Sequence, residues 1–271
     1  MIKPGIYPNL DNHDYHHNPD CKALSKGGIV KLMKSPAHFK VKVDHDYTTP
    51  ALNFGSAFHA CALDSDMVMI EPQVDRRTKE GKAIKSEFDD KSIGEIVVNI
   101  DEYTAIEHMC IAIENHSKAS VILSHQELIE NSVFWNDPDY NFLCKCRPDI
   151  IIPDLKALVD LKSCLDASPE KFSKDCANYG YHIQASWYLR GINEAQDDIM
   201  YDKFLFVCVE KTPPYGVMVY SPDEMFYEAG NIKIQQALET YDKCLTNNDW
   251  PCYDEKVTTL SLPYWATKGV V

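Results

Sequence analysis

One stretch constrains this chain more than any other: CKCRPDIIIPDLKALVDLKSC, residues 144–164. Its two apolar runs, Ile150-Ile151-Ile152 and Ala157-Leu158-Val159, suit strands, because such side chains pack well on a pleated surface. Pro153-Asp154 between them supply turn chemistry, so the segment predicts a β-hairpin. Side chains alternate across a strand. Asp160 and Lys162 therefore share one face, while Leu161 points the other way into a core. Asp149 stands at the start of the preceding strand, close enough across the hairpin to join them. Two carboxylates and one ammonium converge on a hairpin that is otherwise apolar.

Neighbouring carboxylates raise each other's pKa unless a divalent cation sits between them. Mg²⁺ prefers oxygen ligands and keeps several waters. It can activate a water and stabilise charge on a phosphate in transfer. A lysine two residues beyond the second aspartate can hold or deprotonate that water, or neutralise the phosphate. Pro148-Asp149 followed by Asp160-Leu161-Lys162 is the D-(x)n-(D/E)-x-K arrangement of PD-(D/E)xK nucleases. The plain alternative is a surface hairpin with an ordinary ion pair.

At 271 residues the chain can bury a full core as one domain. Its 45% hydrophobic and 25% charged content is that of a soluble globular protein. No apolar run approaches a membrane span. MIKPGIYPNLDNHDYHH carries no apolar signal segment. The ten cysteines are scattered, with no CxxC pair, so reduced thiols and a cytoplasmic location are expected. Cys208, Cys244 and Cys252 are too far apart to resemble an iron–sulfur motif. The net charge of −14 argues against nonspecific coating of nucleic acid. Most of the negative excess falls after residue 100. Basic groups cluster earlier, at Lys22, Lys26, Lys31, Lys34, Lys40 and Lys42, then at Arg76, Arg77, Lys79, Lys82 and Lys85. A DNA contact is expected to draw on Lys31, Lys34, His38, Arg76, Arg77, Lys79 and Lys82. No Walker loop and no GxGxxG occurs, so neither ATP hydrolysis nor dinucleotide binding is supported.

Taken in order, residues 1–20 read as an irregular arm anchored by Ile6, Tyr7 and Tyr15, in which His13, His16 and His17 are either metal ligands or, as such runs more often are, solvated surface. Ser25 caps a short helix with Ile29, Val30, Leu32 and Met33 inward, and Ser35-Pro36 starts another. Residues 51–64 predict a helix whose small residues Gly55, Ser56, Ala57 and Ala60 let something pack close. His59 on it is either a satisfied core residue or a neutral imidazole ligand beside the aspartates. Residues 68–72 and 95–99 suit strands, with a polar, cationic helix or lid over 75–91 between them. Asp101 caps a helix over 102–116, and a short helix follows over 118–124. Residues 127–135 suit a strand carrying Glu130, which is either a third carboxylate of the site or an exposed strand residue.

Ser168-Pro169-Glu170 starts a helix that Asn178-Tyr179-Gly180 ends. A second helix, about 181–192, puts Gln184 and Tyr188 at i and i+4 on one face, where both can hydrogen-bond a phosphate or orient a metal-bound water. Residues 203–210 and 215–220 form another hairpin. Ser221 caps a long helix over 222–246, with Ile232, Ile234, Ala237, Leu238, Tyr241 and Leu245 as its apolar stripe. In the tail, Trp250, Tyr253, Leu262, Tyr264 and Trp265 pack on the body or on a neighbouring subunit. The whole is an α/β protein, a mixed sheet flanked by helices. It reads as one domain over 1–271, with a helix-rich part over 1–125 and a catalytic core over 126–271.

Together GIYPNLDNHDYH, LSKGGIVKLMKSPAHF, LNFGSAFHACALD, DRRTKEGKA, FWNDPDYNFLCKCRPDIIIPDLKALVDLKS, DASPEKFSKDCANYGYHIQASWYLRG, VEKTPPYGVMVY and LSLPYW resemble the RecE (exodeoxyribonuclease VIII) exonuclease family, over nearly the whole chain. The resemblance implies a restriction-endonuclease-like PD-(D/E)xK core. It implies Mg²⁺-dependent, ATP-independent digestion of linear double-stranded DNA from 5′ ends, with Mn²⁺ able to substitute. The 3′ single strands left behind would serve an annealing protein in recombination. It further implies a homo-oligomeric ring, a trimer or tetramer, in a bacterial or phage-infected cell. By this resemblance His59, Asp149, Asp160 and the Leu161 carbonyl hold the metal and Lys162 is the catalytic lysine. Gln184 and Tyr188 match a Q-x3-Y helix beside the site, and Glu130 is a further carry-over. The second acid is Asp where the superfamily often has Glu, one methylene shorter.

Overall fold

Three consecutive isoleucines need burial on both faces, and the computed structural model provides it. The structure describes residues 2–41, 49–125, 128–267 and 269. Lys42 and Glu127 of the sequence reading lie outside those residues, as do the side chains of Tyr264 and Trp265. The elements run β1 (Gly5–Tyr7), α1 (Asn12–His17), α2 (Lys26–Lys34), α3 (Pro36–Lys40), α4 (Pro50–Leu63), β2 (Val68–Ile70), α5 (Lys79–Lys91), β3 (Ile96–Val98), α6 (Ile100–Asn115) and α7 (Ala119–Leu123). There follow β4 (Ser132–Asn136), β5 (Leu143–Cys146), β6 (Ile150–Ile152), β7 (Ala157–Cys164), α8 (Pro169–Tyr179), α9 (Tyr181–Ala195), β8 (Lys203–Glu210), β9 (Val217–Tyr220), α10 (Glu224–Asn247) and α11 (Tyr264–Thr267).

The expected hairpin is β6–β7, antiparallel with Ile150 opposite Val159. It lies in a four-stranded mixed sheet of order β6-β7-β8-β9. β7 and β8 are parallel, and α8 and α9 make the crossover that a parallel pair requires. The two faces of the sheet pack into different cores. Ile151, Leu158 and Phe206 join Trp135 and Trp187 on the α9 side. Ile150, Ile152, Val159 and Leu161 join Phe58, Ile106 and Met109 on the α4–α6 side. β7 is buried from Ala157 to Leu161 and half-buried at Lys162 and Ser163. The strand is partly exposed at Lys162 and Ser163 before Cys164 returns to the core, which opens the site there.

Several local expectations change. The arm of residues 1–20 contains β1, paired with β4, and the short α1. β5 pairs with β4 although Lys145 interrupts its apolar run. The strand expected over 127–135 begins at Ser132, and Glu130 precedes it in a left-handed bend with φ 48°. On α2 only Ile29 and Leu32 are buried; Val30 and Met33 lie on the next side of the helix and are exposed. The cap of α6 is Asn99, in a reciprocal box with Glu102, and not Asp101. Asp223, not Ser221, caps α10. Ser168 precedes α8 without making a side-chain cap bond. On α10 Cys244 is buried, while Ile232 and Leu245 are exposed, because the buried face runs through Gly230, Ile234, Ala237, Leu238 and Cys244 at helical spacing. Nothing packs at Gly55. In the tail Trp250 stacks on Phe39, whereas Tyr253 and Leu262 are exposed. All ten cysteines are free.

Candidate active site

The hairpin register sets the site. Asp149 lies one residue before β6, and its Oδ2 accepts the Leu161 N–H at 2.6 Å across the hairpin. Asp160 is 2% exposed. Its Oδ1 accepts Gln184 Nε2 from α9, and its Oδ2 faces the ammonium of Lys162. Among the described residues the Oδ2 makes no hydrogen bond besides its pairing with the lysine. α4 adds His59: Nε2 donates to the Leu161 carbonyl at 3.0 Å, and Nδ1 stands 3.5 Å from Asp149 Oδ2. One residue of β7, Leu161, thus offers its N–H to Asp149 and its carbonyl to His59.

The charges hold one another. Burial raises the Asp149 carboxyl, but His59 and the Leu161 N–H outweigh it and leave the pKa low. Burial also disfavours a charged His59, and Asp149 overrides that and raises its pKa. Burial pushes Asp160 up, and Lys162 only partly offsets it. Burial would lower Lys162, yet Asp160 and Asp149 hold its pKa above the usual lysine range. The Lys162 Nζ lies 4.7 Å from the Tyr181 ring centroid, a cation–π contact.

The site opens into a cleft of about 780 Å³ between α4 and α8. Glu130 lines it; burial, then Asp149 and Asp66, raise its carboxyl pKa. Tyr188 does not line it: the ring packs on Phe204 at 6.1 Å, and burial holds the hydroxyl protonated. Gln184 reaches the site through Asp160 and not through the cleft. The expected DNA-contact cations are elsewhere. Lys31, Lys34 and His38 sit on α2 and α3, with His38 Nδ1 2.6 Å from Ser35 Oγ. Arg76 pairs with Glu71, Arg77 with Asp75, and Lys79 and Lys82 are exposed on α5. None of them lines the cleft.

Sequence reasoning passed over Tyr181, Lys211, Asp66 and Asn12, which do line it. Only Tyr181 carries a local signal, as the first residue after the left-handed Gly180 that separates α8 from α9. Among the described residues no three His, Cys, Asp or Glu side chains form a ready-made metal cage.

The profile of a PDDEXK-like domain of unknown function (DUF3799) matches residues 25–263. No curated protein matches the chain. Among solved structures, a candidate exonuclease from Eubacterium rectale superposes with a TM-score of 0.60 at 12% identity, over 97% of this chain and 99% of that one. The likeness at that identity is one of fold. A phage related exonuclease from Haemophilus somnus reaches a TM-score of 0.37 at 14% identity, over 84% of this chain and 97% of that one. A score that low carries no weight here.

Proposed function

The chain belongs to the PDDEXK-like domain family, and on that premise we propose that it is a Mg²⁺-dependent, ATP-independent exodeoxyribonuclease. It digests linear double-stranded DNA from 5′ ends and leaves 3′ single strands for an annealing protein in recombination. The observation that carries this reading is the meeting of Asp149, Asp160, Lys162 and His59 on one exit of β7 from the core.

The residues fit a hard divalent ion. The Asp149 carboxylate and the Leu161 carbonyl converge on the His59 imidazole within hydrogen-bonding range, and Asp160 lies beside them. His59, Asp149, Asp160 and the Leu161 carbonyl would hold Mg²⁺, with water completing its shell, since this ion keeps several waters. Bound there, the ion supplies a Lewis acid for the phosphate and an acidified water.

The chain's own groups do the rest. The Leu161 N–H and the Gln184 amide fix the two carboxylates, so neither reorients when charge builds up. Lys162, beside Asp160 and on the wall of the cleft, positions the attacking water and neutralises the phosphate. Tyr181 limits where that ammonium can swing. A homo-oligomeric ring, a trimer or tetramer, explains processive digestion by a chain of net charge −14, and the expected setting is cytoplasmic. Among the described residues no helix is long and apolar enough to cross a membrane.

The test is digestion of a linear duplex labelled at either 5′ end, in Mg²⁺ and in EDTA, beside a covalently closed circle. Mononucleotide release from 5′ ends in Mg²⁺ alone, with the circle intact, is expected. Cutting of the circle would replace this reading with an endonuclease. Lys162→Ala should keep the fold and DNA binding and lose about 10²–10⁴-fold in cleavage rate; an active variant would remove the lysine from the mechanism.

A further inference from the structure

The side of α4 that lines the cleft is built from Leu52, Gly55, Ser56 and His59. These recur at the three- and four-residue spacing of one helix face. Among the described residues Gly55 has no packing reason: a Cβ built on it meets nothing within 4 Å. Glycine inside a helix weakens it relative to alanine. A mid-helix glycine with open space before it keeps the backbone accessible to something outside the chain.

Next to it, the Phe54 ring carries the ammonium of Lys211, 5.1 Å from the ring centroid. Lys211 follows β8, and its backbone N–H donates to the Cys164 carbonyl at 3.0 Å. That bond fixes it at the end of β7, beyond Lys162. Of the cleft-lining lysines, Lys162 is paired with Asp160 and Lys171 with Asp175. Lys211 has no carboxylate within ion-pair distance among the described residues. Burial lowers its pKa, as expected for an ammonium short of counter-charge. Asp66 and Glu130 occupy the opposite, Asp149 end of the same cleft. On the Cys164 side the nearby carboxylates are already engaged, Asp175 by Lys171 and Glu210 by the Ala167 N–H, so Lys211 is left as the unpaired cation of the cleft among the described residues.

We propose that this wall is a phosphodiester track: the substrate strand's backbone crosses α4 directly over Gly55, and Lys211 holds a phosphate next to the scissile one. The assignment rests on the nuclease reading above and adds to it the path of the strand, which the basic runs on α2 and α5 do not mark. Phosphate is the ligand chemistry that an unpaired lysine and a bare helix backbone accept together: a point charge for the anion and room for its oxygens.

The experiment compares the wild type with Lys211→Gln, Lys211→Arg, Gly55→Leu and Gly55→Ala, and with Lys174→Gln as an exposed-lysine control. The probe is a labelled linear DNA duplex, bound in EDTA at several salt concentrations and digested in Mg²⁺. Lys211→Gln should raise KM about five- to twentyfold with kcat within about twofold, and should reduce the salt slope of binding by about 0.9. Lys211→Arg should restore both. Gly55→Leu should raise KM similarly with an undiminished melting temperature, and Gly55→Ala should raise the melting temperature and shift KM the same way. In an enzyme that digests the duplex, wild-type KM and salt slope in Lys211→Gln, or wild-type KM in Gly55→Leu, would overturn the track. A Gly55→Leu chain that fails to fold would overturn it too, by contradicting the open space. A wild type that neither binds nor digests DNA would instead remove the nuclease reading on which the track rests.

Discussion

Asp149 is the residue whose surroundings say most about what the site is for. Its Oδ2 already takes one backbone N–H and faces one imidazole. A divalent ion would replace the imidazole's charge and bind the same oxygens. Mg²⁺ should therefore raise the melting temperature of the wild type and not of Asp149→Asn. At a concentration of 100 Kd the gain is about 2.7 kcal/mol by mass action. A thermal-shift titration reads it without any DNA present, and an equal shift in Asp149→Asn would place the ion elsewhere. Gln184→Leu should then lower kcat about tenfold with little change in fold, because it frees a buried Asp160 oxygen from its only amide donor; wild-type kcat would show that Lys162 alone holds that carboxylate. Asp149, Asp160 and Lys162 were legible in the sequence because they are placed by alternation along two short strands. His59 was legible only as one of two readings, since a contact across 102 residues leaves no local trace. Tyr181 and Lys211 left none either. The basic runs lie away from the cleft, and Arg76 and Arg77 have Glu71 and Asp75 close by in sequence as ion-pair partners.

At the scale of elements, α9 is the one that could not be displaced. On one side Gly191 lies under Trp135, where a Cβ would come within 2.5 Å of the indole. On the other, Gly230 of α10 lies against the His182 carbonyl at 2.2 Å from such a Cβ. Trp187, between these contacts, donates its indole N–H to the Lys145 carbonyl at 3.1 Å. The helix that carries Gln184 is therefore seated to a fraction of an ångström. Gly191→Ala should destabilise the protein by about 1–3 kcal/mol through overpacking, whereas Gly55→Ala should stabilise it by roughly 0.5–1 kcal/mol. Denaturant titration of the two variants checks both signs, and a stable Gly191→Ala would show that Trp135 can move. Helices were readable from caps and period, with errors of a residue or two where several capping side chains adjoin, as at Asn99 and Asp101. β1 and β5 were not readable. β1 is a three-residue edge, and β5 carries a lysine whose burial depends on carbonyls 124 and 130 residues away.

β5 and the loop that follows it tie the body of the molecule to its own N-terminal arm. Lys145 donates to the Tyr15 and Cys21 carbonyls at 2.5 and 3.1 Å. Arg147 donates to Asn12 Oδ1 at 2.9 Å, to the Leu10 carbonyl at 2.8 Å and to Ser132 Oγ, and its guanidinium lies 4.3 Å from the centre of the Tyr15 ring. Two residues further on is Asp149. The matched family region begins at residue 25, so the arm lies before it, yet Asn12 and His16 line the cleft. The arm, held by Lys145 and Arg147, therefore forms part of the cleft wall. Arg147→Lys keeps the charge and loses the planar fork, which a lysine cannot reproduce. Losing charge-assisted bonds of this kind costs about 1.5–3 kcal/mol each where they are well formed. The loss should fall on the arm, because β6 and β7 are held by their own ladder. Hydrogen exchange should therefore quicken in residues 5–21 of Arg147→Lys and stay slow in β7, while the Mg²⁺-induced thermal shift persists and KM for the duplex rises. Unchanged exchange in the arm would mean that β1 pairing and Lys145 suffice to hold it. Faster exchange with an unchanged KM would mean that the arm covers the cleft without touching what enters it.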